Sequence, residues 1–195
     1  SLKKAQHKPD DLPKRGTIMG YAGGVNEKLD LNCIDFLANY NPTWQIVLIG
    51  KNFFKGRLAE KFEHLLKKKN IHYLGPKPWD QLPCYVKWFN VGILPYFPTN
   101  VAKWCDTPAK LFEYLAAELP IVEIGLPNPN TVDGLVEVAR TPEEFAQKVE
   151  NSLKEDNSEK RQIRKKIALE NTWESRAKYI IDVIQNRLTG PSHGH

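Results

Sequence analysis

Short apolar runs recur along this chain at 17–21, 45–49, 71–74, 91–94 and 121–124, each separated from the next by enough residues for one helix. No other feature constrains the fold so tightly. Runs that are apolar nearly throughout suit strands buried on both faces of a parallel sheet better than strands with one wet face. The segments between them carry apolar residues at helical spacing: Leu31, Ile34, Leu37 and Ala38, then Leu58, Phe62, Leu65 and Leu66, then Leu82, Tyr85, Val86 and Phe89. Parallel neighbours need a crossover connection, usually a helix, so the alternation predicts an α/β domain with a doubly wound parallel sheet.

A further run at 135–139 precedes Thr141-Pro142-Glu143-Glu144, where a hydroxyl cap, a proline and an acidic first turn open a helix expected to reach about Leu153. Residues 154–171 read as a charged amphipathic helix, and Thr172-Trp173-Glu174 opens a last helix with Ala177, Ile180, Ile181 and Ile184 on one side. Residues 1–16 lack apolar periodicity and are expected to be a linker, with order beginning at Thr17. The expected domain is 17–187, followed by a disordered tail at 188–195.

At 195 residues the chain suits one domain with a substantial core, and 41% hydrophobic against 26% charged residues argues against disorder. No apolar run approaches the roughly 18 residues that span a bilayer, and no signal-peptide pattern opens the chain, so the expected compartment is the cytoplasm. Cys33, Cys84 and Cys105 are odd in number and share no metal-ligand spacing. They read as reduced thiols, with no metal and no cofactor expected. The net charge of +5 is concentrated at Lys67-Lys68-Lys69 and in residues 161–166. Such runs are solvated helix faces or, as the sharper alternative, peripheral contacts to an anionic membrane. No nucleic-acid module accompanies them, so nucleic acid is not an expected partner.

Ligands of open α/β sheets bind beyond the carboxyl ends of the strands, which directs attention to the loops there. After the first strand come Gly23 and Gly24, able to let backbone approach a phosphate, and Lys28, able to supply charge. Gly50 and Lys51 repeat that logic after the second strand, and Pro76 and Lys77 stiffen the loop after the third. Pro95-Tyr96-Phe97-Pro98 leads from the fourth strand towards Thr107 and a helix in which Pro108 suits the first turn and Leu111, Phe112 and Leu115 form an apolar stripe. Glu113 falls in the first helical turn or just beyond it. A carboxylate there can accept both hydroxyls of a ribose while unpaired amides at Lys110 and Leu111 hold attached phosphates. Each feature also has a plainer account: a Glu serving only the helix dipole, a tight glycine turn, solvated lysines, a rigid proline turn.

The stretch Pro108-Ala109-Lys110-Leu111-Phe112-Glu113-Tyr114-Leu115-Ala116-Ala117 and the following Pro120-Ile121-Val122 resemble the donor-site segment of retaining, family-4-like GT-B glycosyltransferases, P-x-K-x-x-E-Y-L-A-x-G-x-P-V-V. Tyr21-Ala22-Gly23 with Lys28 and Asp30, Leu74-Gly75 with Leu82-Pro83 and Tyr85, and Thr172-Trp173 with Arg176 resemble other parts of the same pattern. The resemblance covers about 17–187 and implies a single Rossmann-like domain corresponding to the C-terminal half of a GT-B fold. It implies a site for a nucleotide sugar, UDP- or GDP-linked, in which Glu113 binds the ribose, Lys28 meets the diphosphate and Pro76 and Lys77 lie by the base. Gly23, Gly24, Gly50, Lys51, Thr107, Lys110 and Leu111 complete that donor site.

The function so implied is transfer of a hexosyl group to a glycan or lipid-linked acceptor in polysaccharide or cell-envelope synthesis. An N-terminal acceptor domain would be a partner, and the isolated donor domain would be inactive. No Asp-x-Asp pair is present, so the departing diphosphate is expected to be stabilised by lysines and amides without a metal. Two departures from the family pattern stand out. Glu118 occupies the usual small position, and Cys105 replaces an earlier Glu that contacts the donor sugar in relatives. A GT-B-like nucleotide-sugar epimerase and a non-catalytic nucleotide-binding module are the alternatives, the second favoured by Cys105.

Overall fold

Strands β1 (Ile18–Ala22), β2 (Gln45–Ile49), β3 (Ile71–Tyr73), β4 (Val91–Pro95), β5 (Ile121–Ile124) and β6 (Val136–Ala139) form one parallel six-stranded sheet in the order β3-β2-β1-β4-β5-β6. The structure is a computed structural model that describes residues 7–97, 108–126 and 134–189. The α/β alternation therefore forms as expected, with every strand within a residue or two of its predicted run. β1 and β4 are buried along their whole length, as strands covered by helices on both faces must be.

The crossover helices are α1 (Leu31–Tyr40), α2 (Arg57–Leu65), a 3₁₀ turn at Trp79–Gln81 continuing into α3 (Leu82–Val86), and α4 (Ala109–Ala116). Three described helices, α5 (Pro142–Glu155), α6 (Ser158–Glu170) and α7 (Trp173–Thr189), follow β6. Local chemistry sets the starts. The Asp30 carboxylate accepts from the amides of Asn32 and Cys33 at 2.8 and 3.2 Å, and Thr141 Oγ1 accepts from Glu144 N at 3.2 Å. Apolar stripes then bury Leu31, Ile34 and Leu37 of α1 and Phe145, Ala146 and Val149 of α5 against the sheet.

One core contact reaches the carboxyl end of the sheet. Tyr114 of α4 is fully buried against Gly92 of β4, where an added Cβ would lie 2.4 Å from the ring, and its hydroxyl accepts from Ala22 N at 2.9 Å. The last residue of β1 is thus pinned by the helix that follows β4.

Two expectations need correction. Order begins before Thr17, because Leu12 is only 3% exposed in the core and Asp11 pairs with Lys77 at 2.6 Å. The basic run of α6 is not uniformly solvated. Arg164 is buried, with its guanidinium on the Asp156 carboxylate and its Nε donating to Glu118 O at 3.0 Å, while Arg161 and Lys165 pair with Asp156 and Glu118. Residues 190–195, most of the expected tail, lie outside the described residues.

Glu118 is the one non-glycine residue with positive φ, 64°, among the described residues. It follows α4, where Leu119 N donates back to Tyr114 O at 3.0 Å, a helix ending that ordinarily favours glycine. The turn into β5 survives the missing small residue because Glu118 adopts the left-handed conformation itself. Its exposed pair with Lys165, at 2.7 Å, offsets little of that strain. Glu118→Gly is expected to raise stability in urea by about 0.5 kcal/mol, and Glu118→Val to lower it by more than about 1 kcal/mol. A Gly variant no better than the Val variant would show that the side chain, not the backbone, governs this turn.

Candidate functional site

Chain order moves outwards from β1 to β3, then returns to the other side of β1 and continues through β4 to β6, so the sheet changes direction between β1 and β4. A crevice at the carboxyl ends of two such strands is where open α/β sheets take ligands. A cleft of about 200 Å³ lies there, lined by Tyr21, Gly24, Asn26, Lys28, Tyr96, Pro108 and Lys110.

Its floor is backbone held by hydrogen bonds running from loop to loop. Gly23 N donates to Ile49 O at 2.8 Å, Val25 N to Lys51 O at 2.9 Å, and Gly50 N to Gly75 O at 2.9 Å. The loops after β1, β2 and β3 are therefore joined in series. Gly50 approaches so closely that a Cβ on it would sit 1.8 Å from Gly23 O. On the β4 side, Asp30 N donates to Pro95 O at 2.8 Å and Phe97 N to Lys28 O at 2.7 Å, which fastens the Lys28 segment beside Tyr96. Asn26 Oδ1 accepts from Lys28 N at 3.0 Å and shapes the turn.

Lys110, in the first turn of α4, reaches across this floor. A Cβ on Gly23 would be 2.5 Å from the Lys110 Nζ, so the glycine makes room for the ammonium. That Nζ donates to the hydroxyls of Tyr21 and Tyr96 at 3.1 and 2.9 Å. Glu113 lies just past the first turn of the same helix and is exposed; neighbouring protein still raises its carboxyl pKa by desolvation, with the charge of Lys110 opposing.

The structure thus brings together Gly23, Gly24, Lys28 and Lys110 at one cleft and links Gly50 to it through the backbone. Lys51 and Lys77 are differently employed. The Lys51 ammonium is 5.4 Å from the Phe53 ring, and the Lys77 ammonium pairs with Asp11 and lies 5.2 Å from the Tyr85 ring. Pro76 sits in the loop after β3, next to the Gly75 carbonyl that Gly50 uses. Pro108 is the N-cap of α4 rather than a member of its first turn. Its carbonyl accepts from Leu111 N at 3.0 Å, so the Leu111 amide expected to be unpaired is already engaged. Thr107, Trp104 and Cys105 lie outside the described residues.

Two residues of the cleft, Tyr21 and Tyr96, are not among the donor-site residues named from the sequence. Tyr21 read as part of an apolar strand and Tyr96 as a loop aromatic; the usable signal was that both close strands on either side of the reversal. Among the described residues no group of three or more His, Cys, Asp or Glu side chains can hold a metal ion, and no helix is long and apolar enough to cross a membrane.

Residues 19–155 match the family model described as Glycosyl transferases group 1. The chain belongs to the group 1 glycosyltransferases. This glycosyltransferase domain is 34% identical over 117 residues to a Bacillus subtilis (strain 168) protein named as the teichuronic acid biosynthesis glycosyltransferase TuaH, the match covering 59% of this chain and 28% of TuaH. Its fold is similar to that of sucrose-phosphate synthase from Thermosynechococcus elongatus, with TM-score 0.71 and 13% identity over 93% of this chain and 48% of that one. It is also similar to Anabaena HepE in complex with UDP and glucose, with TM-score 0.62 and 17% identity over 90% of this chain and 49% of that one. The domain therefore has the Rossmann-like architecture of GT-B glycosyltransferases, and it spans about half the length of these two solved structures.

Proposed function

We propose that this domain holds the nucleotide-sugar donor of a glycosyltransferase, with UDP as its nucleotide. The observation that carries the reading is the Lys110 ammonium held across Gly23 in the cleft at the sheet reversal. A diphosphate seated there would meet Lys110 and Lys28 over glycine backbone, with the Glu113 carboxylate on the same helix to accept the ribose hydroxyls. The HepE complex, in which a similar fold holds UDP, supports the choice of base. Departure of the nucleotide diphosphate places growing negative charge on its leaving oxygen. Fixed positive groups that need no reorganisation lower that barrier most effectively.

The parent reaction is hexosyl transfer to a glycan acceptor in cell-envelope polysaccharide synthesis, a reading favoured by the TuaH similarity. An acceptor domain completes the enzyme in this reading. Helix α7 leaves Ile180, Ile181 and Ile184 at least half exposed, a surface that such a domain would cover. At its start, the Arg176 guanidinium lies 4.6 Å from the Phe112 ring and ties α7 to the site helix.

Calorimetric titration with UDP and GDP tests the reading. The wild-type domain is expected to prefer UDP, and Glu113→Ala to weaken UDP roughly tenfold to a hundredfold, as loss of hydrogen bonds to a charged acceptor does. A folded wild-type domain that binds neither nucleotide would remove the donor-site assignment.

A further inference from the structure

We propose that Tyr21 and Tyr96 are positioning residues that hold the Lys110 ammonium in the cleft without neutralising it, so that its charge is presented to the diphosphate of the donor. The inference rests on the donor-site reading and adds two residues to it.

A flexible lysine in a cleft is ordinarily kept in place by a carboxylate, which also cancels its charge. Here the anchors are neutral. Lys110 Nζ donates to Tyr96 Oη at 2.9 Å and to Tyr21 Oη at 3.1 Å, and the same nitrogen lies 4.6 Å from the Tyr21 ring and 5.4 Å from the Tyr96 ring. Both hydroxyls therefore act on one cation, which sits at the hydroxyl ends of the two rings. Among the described residues, no carboxylate stands within ion-pair distance of it.

The anchors are themselves fixed. Tyr21 Oη donates its proton to Gly24 O at 3.0 Å, which leaves its lone pairs to accept from Lys110. Hydrogen bonds thus run from ammonium to phenol to the carbonyl of the glycine loop. The two rings meet edge to face, with centroids 6.3 Å apart and planes at 85°, and Tyr21 and Tyr96 are 1% and 3% exposed. Tyr96 N also donates to Leu94 O and Ile124 O at 3.1 and 3.0 Å, so its backbone belongs to the sheet rather than to a swinging loop. An ammonium has three N–H donors, and the phenols take two. The third serves a ligand oxygen, and because the partners are uncharged, the full positive charge is offered with it. The rotamer entropy of the long side chain is spent on folding and not on binding.

The test separates holding from mere packing by replacing each Tyr with Phe, which keeps the ring and removes only the hydroxyl. Tyr21→Phe/Tyr96→Phe is expected to weaken UDP about tenfold in calorimetry while uridine, which has no diphosphate, binds as to wild type. On a Lys110→Met background the Phe pair is expected to change UDP affinity no further, the signature of residues acting through one group. Equal losses for UDP and uridine, unchanged UDP affinity, or a full additional loss in the triple variant would each overturn the proposal.

A ligand-free measurement distinguishes its failure from failure of the donor-site reading. Reductive methylation at Lys110, followed by peptide mass spectrometry, should run several-fold faster in the Phe pair than in wild type. Equal rates would show that the phenols do not hold the amine, even if UDP binds. Faster methylation with no UDP binding to folded wild type would instead remove the donor reading, and with it the diphosphate as the ion that Lys110 meets.

Discussion

Gly50→Ala is expected to cost roughly 3 kcal/mol of stability or more, a loss typical of overpacking at a rigid position, and to abolish measurable UDP binding. A methyl group at this position would lie 1.8 Å from Gly23 O and 2.6 Å from Gly23 C, both backbone atoms, so no side-chain rotation relieves the clash. The φ of Gly50, 146°, is itself strained for a residue with a Cβ. Nor can the loop retreat, because Gly50 N donates to Gly75 O and Gly50 O accepts from the Tyr73 hydroxyl, each at 2.9 Å. The strain would be transmitted to Gly23 and thus to the floor beneath Lys110. Gly75→Ala is the control: its φ is 67°, but an added Cβ meets no atom within 4 Å. That variant should lose only about 1 kcal/mol from backbone strain. Urea unfolding compares the two, and similar losses would mean that φ, not contact with Gly23, makes glycine necessary at 50.

Glu123 should make stability fall as pH rises from about 4.5 to about 7, against the opposite pull of His72, whose pKa burial lowers. This residue is fully buried in β5; its Oε2 accepts from Leu126 N at 3.0 Å, while its Oε1 has no hydrogen-bond partner among the described residues. Burial pushes its pKa from 4.5 up to about 7, with the Leu126 bond pulling the other way. A raised carboxyl pKa means that the folded state binds the proton more tightly than the unfolded chain does. Its contribution is fully present below the unfolded value, declines between the two values and is absent above the folded one. The difference corresponds to about 3 kcal/mol across that window. Glu123→Gln keeps an acceptor for the Leu126 amide and cannot ionise. It should flatten the profile and leave the protein more stable than wild type by about 2 kcal/mol at pH 8, a neutral buried amide still carrying some desolvation cost. Urea unfolding at pH 5 and pH 8 measures both, and wild-type and Gln profiles of equal slope over this range would show that Glu123 is not protonated in the fold.

Periodicity is a local property of a chain, and what depends on it alone could be read directly. The runs at 45–49 and 121–124 are β2 and β5 residue for residue, and Thr141 caps α5 as its sequence neighbours predict. Apolarity on both faces dictated parallel strands, and parallel strands dictated helical crossovers. The strand ends and glycines also marked where the cleft between β1 and β4 lies. What the sequence left open were partnerships between residues far apart along the chain. Lys77 finds Asp11, 66 residues away, and Lys110 finds Tyr21, 89 residues away, only because strand order sets their loops side by side. One miss was local: Leu111 N turns to Pro108 O, three residues back, because Pro108 is the N-cap and not part of the first turn. Residue order alone specified a doubly wound sheet with a cationic, glycine-floored end. The folded chain decided which cations are neutralised there and which are held ready, because a charge is quenched or preserved by whatever packing brings within about 4 Å of it.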